Sequence, residues 1–231
     1  MAMNEIIILA SGSPRRRELL TQIGIPFKVI PALSEERMQS CDPEEICRSL
    51  ATVKAEEVAK RIMDARAVYN AQETEICRDG CDGEMAEGSS LYGEIPREVA
   101  SSRRVRIIGA DTIVVLQREI LGKPKDAEDA ARMLTELSGC AHEVMTGVCV
   151  IDLCEGRRVS VASFSECTKV FVSELTPQDI EDYIATGEPF DKAGAYGIQG
   201  MFARYIERID GDYNNVVGLP AGRLFREFLK E

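Results

Sequence analysis

A strand, a tight turn and a helix close to the amino terminus constrain the fold of this chain more than any other stretch. Four apolar residues in a row at 6–9 predict a short buried strand, and the Ser-Gly-Ser sequence at 11–13 predicts a tight turn. Pro14 suits the first position of a helix, and Gly24 suits its end. Strands and helices alternate to the end of the chain without repeats, so the sequence predicts an α/β fold with a mixed sheet.

Three consecutive arginines, Arg15, Arg16 and Arg17, occupy the first turn of this predicted helix. Cations at that position face the positive end of the helix dipole, which costs about a few tenths of a kcal/mol each unless an anion offsets them. Backbone N–H groups at a helix start and guanidinium groups both suit phosphate. The pattern therefore favours a phosphate-binding site over its alternative, a solvated basic helix end.

The second predicted helix begins at Asp42 and Pro43 and runs to about Met63. Its apolar side chains form one continuous arc on a helical wheel, and Lys54 lies near the middle of that arc. A lysine at such a position either extends its ammonium past the apolar surface or directs it at a buried anion. The spacing alone does not choose between these alternatives.

An apolar run at 105–116 predicts a central strand that is covered on both faces, and Asp111 interrupts it. An ionised carboxylate in such a strand must be paired, hydrogen-bonded or bound to a metal. One alternative is a structural aspartate that accepts backbone N–H bonds at a bulge. A turn at 117–119 predicts a hairpin that carries Lys123 back towards Asp111.

Residues 64–103 contain many glycines and serines and show no sustained apolar periodicity. This pattern predicts an inserted, mobile surface segment that has no core of its own. Beyond it, the sequence predicts further helices and strands and a glycine-spaced loop. The predicted ranges are a helix from Asp126 to before Gly139, strands at 142–153 and 159–172, a helix at 176–187, the loop at 191–200 and a terminal helix at 220–229.

Composition excludes several classes of function. A net charge of −11 argues against a general nucleic-acid-binding protein. The chain contains no run long enough for a membrane span, and residues 1–10 lack the features of a signal peptide. Eight cysteines without such a signal predict free thiols in a reducing compartment, the cytoplasm. With a single histidine, a zinc site and most histidine-based triads are disfavoured.

Four segments together are more specific than any one of them, and a fifth closes the pattern. They are Ser11-Gly12-Ser13-Pro14-Arg15-Arg16, Gly109-Ala110-Asp111-Thr112, Gly122-Lys123-Pro124, the loop at 191–200 and the segment at 211–220. In order and approximate spacing they resemble the Maf family of nucleoside triphosphate pyrophosphatases. The resemblance covers nearly the whole chain except 64–103. It implies a single domain over 1–231 with an elongated sheet, flanking helices and two lobes around a cleft, similar to inosine triphosphate pyrophosphatases.

The resemblance also implies a reaction, in which a nucleoside triphosphate and water give the monophosphate and pyrophosphate. The Ile-Gln-Gly sequence at 198–200 resembles the branch that acts on dTTP and UTP, and modified pyrimidine nucleotides are further candidates. The alternatives are a purine-directed or 7-methyl-GTP pyrophosphatase and a non-catalytic nucleotide-binding regulator. The implied partner is the nucleotide substrate, with no nucleic acid or membrane, and the chain is either a monomer or a homodimer.

The roles of individual residues come from the matching family positions. Those implied to bind phosphates are Arg15, Lys54 and Lys123, with Ser11 and Ser13 beside them. Asp111 matches the proton acceptor and a metal ligand, and Glu36 is implied as the second carboxylate for a divalent cation, Mg²⁺ or Mn²⁺. The positions tied to the choice of base are Arg16, Thr112 and Gln199.

Overall fold

The structure is a computed structural model that describes residues 5–33, 40–79 and 95–230, with the helical backbone alone for 72–79. Its centre is a seven-stranded sheet, whose strands are β1 Glu5–Leu9, β2 Lys28–Val29, β3 Arg104–Leu116, β4 Glu119–Leu121, β5 Ala141–Cys154, β6 Arg157–Val172 and β7 Ile206–Asp210. The strand order is β2-β1-β3-β5-β6-β7, and β4 also pairs with β3. β1 is parallel to β2 and β3, whereas the other pairs are antiparallel, so the predicted mixed sheet is confirmed.

Helices cover both faces of the sheet. They are α1 Pro14–Gln22, α2 Pro43–Asp79, α3 Arg97–Ser101, α4 Ala127–Leu137, α5 Pro177–Ala185, α6 Tyr213–Val217 and α7 Ala221–Leu224, with 3₁₀ turns at Glu188–Asp191, Ala193–Ala195 and Met201–Tyr205. Asp126 and Thr176 cap α4 and α5 through their side chains. The predicted terminal helix is divided, because a π-helical turn, Phe225–Leu229, follows α7. None of the helices in the described ranges is long and apolar enough to cross a membrane.

Helix α2 does not end near Met63, as the sequence analysis predicted, but continues to Asp79. The reason is local, because residues 64–79 contain no glycine or proline and the first breaker is Gly80. This extension is anchored, since Arg66 donates to the carbonyls of Ala100 and Ser102 at 3.2 and 2.7 Å. The residues around α3 are buried against α2, so both ends of the predicted insertion at 64–103 contribute to the core.

The core divides into two lobes. In the first lobe, α2 and α3 cover one face of the sheet, and α1, α6 and α7 cover the other. In the second lobe, α4, α5 and the 3₁₀ turns pack on the opposite half of β3 and β5. The aromatic rings of Tyr183, Tyr196 and Phe202 form the centre of this second lobe. The predicted two-lobed α/β architecture is therefore confirmed.

The edge of β3 is open between the two lobes. β1 pairs with β3 over residues 104–108, and β4 pairs with the same edge over 114–116. Among the described strands, none pairs with that edge at 109–113, and Asp111 and Thr112 lie within this gap. Because neighbouring residues of a strand point to opposite faces, the gap gives access to both faces of the sheet at one place.

Two glycines allow α2 to lie directly against the sheet. A Cβ atom on Gly109 would lie 2.3 Å from the carbonyl oxygen of Ala51, and one on Gly147 would lie 2.1 Å from that of Cys47. Both distances are far below van der Waals contact, and both neighbours are backbone atoms that cannot turn aside. The glycines therefore determine the distance between α2 and the sheet, and with it the position of Lys54.

We expect Gly147→Ala to lower the free energy of unfolding by at least about 2 kcal/mol, because its methyl group forces α2 away from β5. Urea denaturation measures this loss. Gly222→Ala in α7 is the control, since a Cβ there meets only the end of the Arg226 side chain, at 3.4 Å. Equal stability of the two variants would contradict the role given to Gly147.

Candidate active site

A cavity of about 930 Å³ occupies the gap between the two lobes. Its lining combines the start of α1, the first third of α2, the open part of β3 and the loop at 191–200. The structure brings together nine of the ten residues that the sequence analysis selected, namely Ser11, Ser13, Arg15, Arg16, Lys54, Asp111, Thr112, Lys123 and Gln199. Glu36, the tenth, lies outside the described residues.

Asp111 is a buried carboxylate in an uninterrupted strand. The register of β3 with β5 is continuous from Arg104 to Val115, so the alternative of a bulge is wrong. The side chain of Asp111 is only 9% exposed, and it forms an ion pair with Lys54, whose side chain is 15% exposed. Of the two alternatives for Lys54, the structure thus shows the one in which the ammonium is directed at a buried anion.

Cys47 and His142 are both uncharged at neutral pH. Burial, and then the charge of Asp111, raise the pKa of Cys47 to about 12, so the thiol keeps its proton at neutral pH. His142 does not line the cavity, and burial lowers its pKa to about 4, so its imidazole is neutral at pH 7. Neither a thiolate at Cys47 nor an imidazolium at His142 is therefore expected at pH 7.

Cationic side chains line the cavity around Asp111. Arg15 pairs with Asp191 at 3.2 Å, and Lys192 contacts the other oxygen of the same carboxylate at 2.6 Å. Burial raises the pKa of Asp191, but the hydrogen bonds from Lys192 and Arg15 outweigh it and lower this pKa overall. Lys123 is exposed and follows β4, at the end of the predicted hairpin. The described lining holds five cationic and four anionic side chains, on a chain whose net charge is −11.

The first turn of α1 contributes two of its three arginines. Arg15 and Arg16 line the cavity, whereas Arg17 is not part of the described lining. Ser13 is at the N-cap position, but its hydroxyl makes no capping bond within the described chain, and its backbone N–H donates to Ser11 Oγ at 3.3 Å. The Ser13 hydroxyl therefore remains available to a ligand.

Arg16 is held by a fixed set of acceptors. Its Nε donates to the carbonyl of Gly218 at 2.8 Å, its Nη1 to Ser11 Oγ at 3.0 Å and its Nη2 to Thr112 Oγ1 at 3.0 Å. These bonds join the start of α1, β3 and the end of α6. The guanidinium is thereby oriented before any ligand binds.

The glycine-spaced loop is held on the second lobe by specific contacts. Gly194 has a φ of +68°, lies against Val114, and donates its N–H to the carbonyl of Gly122 at 3.0 Å. The N–H of Gly197 donates to Tyr183 Oη at 3.2 Å. The side chain of Gln199 is exposed, lines the cavity and makes no hydrogen bond to a described residue.

Sequence reasoning missed the buried polar groups that support the site. Tyr196 Oη lies 2.7 Å from His142 Nε2, beneath the loop. Thr146 and Asn215, both fully buried, connect Thr112 to α6. The segments that contain Tyr196 and Asn215 were selected, but no sequence signal identifies which of their side chains point inwards.

The described residues fit a divalent cation only in part. They contain no cluster of three or more His, Cys, Asp and Glu side chains that could enclose a metal. Mg²⁺, however, is typically held by one or two carboxylates together with substrate phosphates and water. Asp111 offers one such carboxylate beside the cationic lining, so the donor set suits a cation that arrives with a phosphate.

Comparisons with known proteins agree with this geometry. The family model for Maf-like proteins matches residues 6–231. A dTTP/UTP pyrophosphatase of Agathobacter rectalis is 44% identical over 97% of this chain and 96% of its own length. Enzymes with the same name from Lachnoclostridium phytofermentans and Acetivibrio thermocellus are 42% and 43% identical, over 97% and 94% of this chain and 94% and 91% of their own lengths. This chain belongs to the Maf-like protein family.

Proposed function

We propose that this protein hydrolyses dTTP and UTP between the α- and β-phosphates, giving the nucleoside monophosphate and pyrophosphate. The observation that supports this most strongly is the buried pair of Asp111 and Lys54, which opens into a cavity with basic side chains from α1. The names of the relatives, dTTP/UTP pyrophosphatase, support the same reaction. Phosphoryl transfer depends mostly on positioning and electrostatics, and the cavity supplies both.

The phosphates are assigned to the cationic side of the cavity. Arg15, Lys54 and Lys123 bind the triphosphate, and the hydroxyls of Ser11 and Ser13 donate to its oxygens. Arg15 is now paired with the exposed carboxylate of Asp191, an exposed interaction that is worth little and is readily exchanged for a phosphate. The cations also stabilise the charge that develops on the leaving pyrophosphate.

Asp111 orients the attacking water and accepts its proton. The ammonium of Lys54 forms an ion pair with this carboxylate and holds it in position beside the cavity. A divalent cation, Mg²⁺ or Mn²⁺, would be held by Asp111, with Glu36 as the second carboxylate. When bound, it neutralises charge on the phosphate oxygens.

The base is assigned to the loop at 191–200 and to the network at Arg16. A side-chain amide offers one donor and one acceptor, which match the adjacent carbonyl and N–H of uracil or thymine. Gln199 lines the cavity with its amide unengaged by described residues, and Arg16 and Thr112 face the cavity from the other side. We assign all three to the choice of a pyrimidine over a purine.

The remaining parts of the proposal concern the whole chain. We assign residues 1–231 to one two-lobed domain. At the ends of the predicted insertion at 64–103, Ala65, Ile95, Val99 and Ala100 belong to the core, and residues 80–94 lie outside the described residues. The enzyme is assigned to the cytoplasm, with the nucleotide as its partner and no nucleic acid or membrane. A homodimer remains the alternative to a monomer.

Product analysis on a panel of nucleotides tests the reaction and the substrate together. With Mg²⁺, we expect UTP and dTTP to give monophosphate and pyrophosphate with kcat/KM at least about tenfold above that of ATP, GTP and 7-methyl-GTP. Without Mg²⁺, turnover should be lost. Diphosphate and orthophosphate as products would contradict the reaction, a purine preference would favour the purine-directed alternative, and binding without turnover would favour the regulator.

Asp111→Asn should lower kcat on UTP by about 10²–10⁴, because the amide keeps the shape of the side chain but cannot accept the proton. Circular dichroism and thermal unfolding confirm that the variant folds. Asp152→Asn is a matched control, since Asp152 is also a part-buried strand carboxylate in an ion pair, with Arg106, but lies outside the cavity lining. A less than tenfold loss in folded Asp111→Asn would make Asp111 a structural residue.

A further inference from the structure

A row of buried hydroxyl groups lies behind Thr112. Thr112 Oγ1 is 3.0 Å from Thr146 Oγ1, and Thr146 Oγ1 in turn donates to the main-chain carbonyl of Asn215 at 3.1 Å. Thr146 is fully buried and does not line the cavity. Its hydroxyl contacts Thr112, which belongs to the cavity lining.

The acceptor at the end of this row is fixed in place. Asn215 is fully buried, and its side-chain Nδ2 donates to the carbonyl of Val144 at 2.9 Å and to Thr168 Oγ1 at 3.0 Å. The hydroxyl of Thr168 also accepts from the N–H of Asp212 at 3.0 Å. The carbonyl that faces Thr146 is therefore held from two strands and cannot easily turn away.

Counting hydrogens along the row gives the direction of each bond. A hydroxyl has one hydrogen to donate and two lone pairs to accept with. Thr112 Oγ1 already accepts from Arg16 Nη2 at 3.0 Å, so one lone pair is occupied. Its hydrogen can go to Thr146 Oγ1 at 3.0 Å or to the Gly218 carbonyl at 3.4 Å.

The shorter contacts decide between these two arrangements. If Thr112 donates to Thr146, then Thr146 can donate its own hydrogen to the carbonyl of Asn215, and both contacts, at 3.0 and 3.1 Å, become hydrogen bonds. The reverse arrangement spends the hydrogen of Thr146 on Thr112 and leaves the contact with the Asn215 carbonyl without one, while the Gly218 carbonyl, the other acceptor for the hydrogen of Thr112, is farther away at 3.4 Å. In the favoured arrangement, Thr112 keeps one lone pair and no hydrogen for the cavity.

We infer that Thr146 is a specificity-determining residue, which makes Thr112 a hydrogen-bond acceptor only and so selects bases that present an N–H to it. The inference rests on the proposed function and extends it to the choice among pyrimidines. Uracil, thymine and cytosine each have a single ring, so ring size does not separate uracil and thymine from cytosine. Uracil and thymine carry a hydrogen on N3, whereas N3 of cytosine is itself an acceptor. When cytosine binds, its N3 lone pair faces the lone pair of Thr112 Oγ1, and neither acceptor receives a hydrogen. Leaving these buried acceptors unpaired costs enough to favour UTP over CTP by about tenfold or more.

Thr146→Val tests the inference because valine has the shape of threonine without its hydroxyl. The hydrogen of Thr112 is then free to point into the cavity and to bind N3 of cytosine. We expect the ratio of kcat/KM for UTP to that for CTP to be at least about tenfold in the wild type and to fall about tenfold in the variant. Thr146→Ser, which keeps the hydroxyl, should retain the wild-type ratio.

Thr52→Val is the control. Thr52 is a half-buried threonine of α2 whose hydroxyl donates to the carbonyl of Arg48 at 2.8 Å, and it belongs neither to this network nor to the cavity lining. This variant is expected to leave the UTP/CTP ratio unchanged. An equal fall of the ratio in both valine variants would show a general loosening of the site and would overturn the inference.

Substrate analogues test the same point without a variant, should Thr146→Val fail to fold. The wild-type enzyme should hydrolyse N3-methyl-UTP at least about tenfold less efficiently than 5-methyl-UTP, since both carry one added methyl group but only the second keeps the N3 hydrogen. Equal efficiency on the two analogues, or on UTP and CTP, would overturn the inference alone. Failure of the wild type to release pyrophosphate from UTP would instead overturn the proposed function, and the inference with it.

Discussion

The close packing of α2 against the central sheet determines the rest of the site. The backbone of this helix comes so near to β3 and β5 that Gly109 and Gly147 have no room for a side chain. This approach places Lys54 over Asp111 and excludes most of the water around both charges. Two opposite charges that are removed from water need each other, so the helix and the strand are held in register by the same pair that the proposed chemistry uses.

The open edge of β3 explains how the side chains of Asp111 and Thr112, which point to opposite faces of the sheet, can line one cavity. Asp111 faces α2, whereas its neighbour Thr112 faces α1 and α6, where it contacts Arg16. In a fully paired sheet these two side chains would lie on separate surfaces. Because neither β1 nor β4 covers residues 109–113, both side chains reach the same space. The proposed proton acceptor, Asp111, and one of the proposed base-selecting residues, Thr112, are thus consecutive in sequence but lie on opposite faces of the sheet.

Much of this arrangement could be predicted from the sequence, since its signals are local. The strand, turn and helix at 6–24, the apolar strand interrupted by Asp111 and the caps at Asp126 and Thr176 each depend on neighbouring residues alone. The extension of α2 was missed because the glycines after residue 79 were grouped with the helix-forming residues before it. Glu36 stays a prediction.

The supporting residues could not be predicted, because their roles arise only when distant segments meet. Thr146 is an ordinary threonine in a strand until Thr112 and the carbonyl of Asn215 are placed on either side of it. His142 is the single histidine of the sequence, but its burial, which lowers its pKa to about 4, and its contact with Tyr196 Oη at 2.7 Å appear only in the folded chain. Burial of a polar group depends on the three-dimensional packing around it, which residue types and spacing do not specify.

The most direct test of the central claim follows the oxygen of water through the reaction. If Asp111 directs water at the α-phosphorus, hydrolysis of UTP in water enriched in ¹⁸O places one labelled oxygen in UMP and none in pyrophosphate. Mass spectrometry of the two products after a single turnover measures this distribution. Label in the pyrophosphate would mean that water attacks the β-phosphorus, and it would contradict the arrangement of phosphates proposed for the cavity.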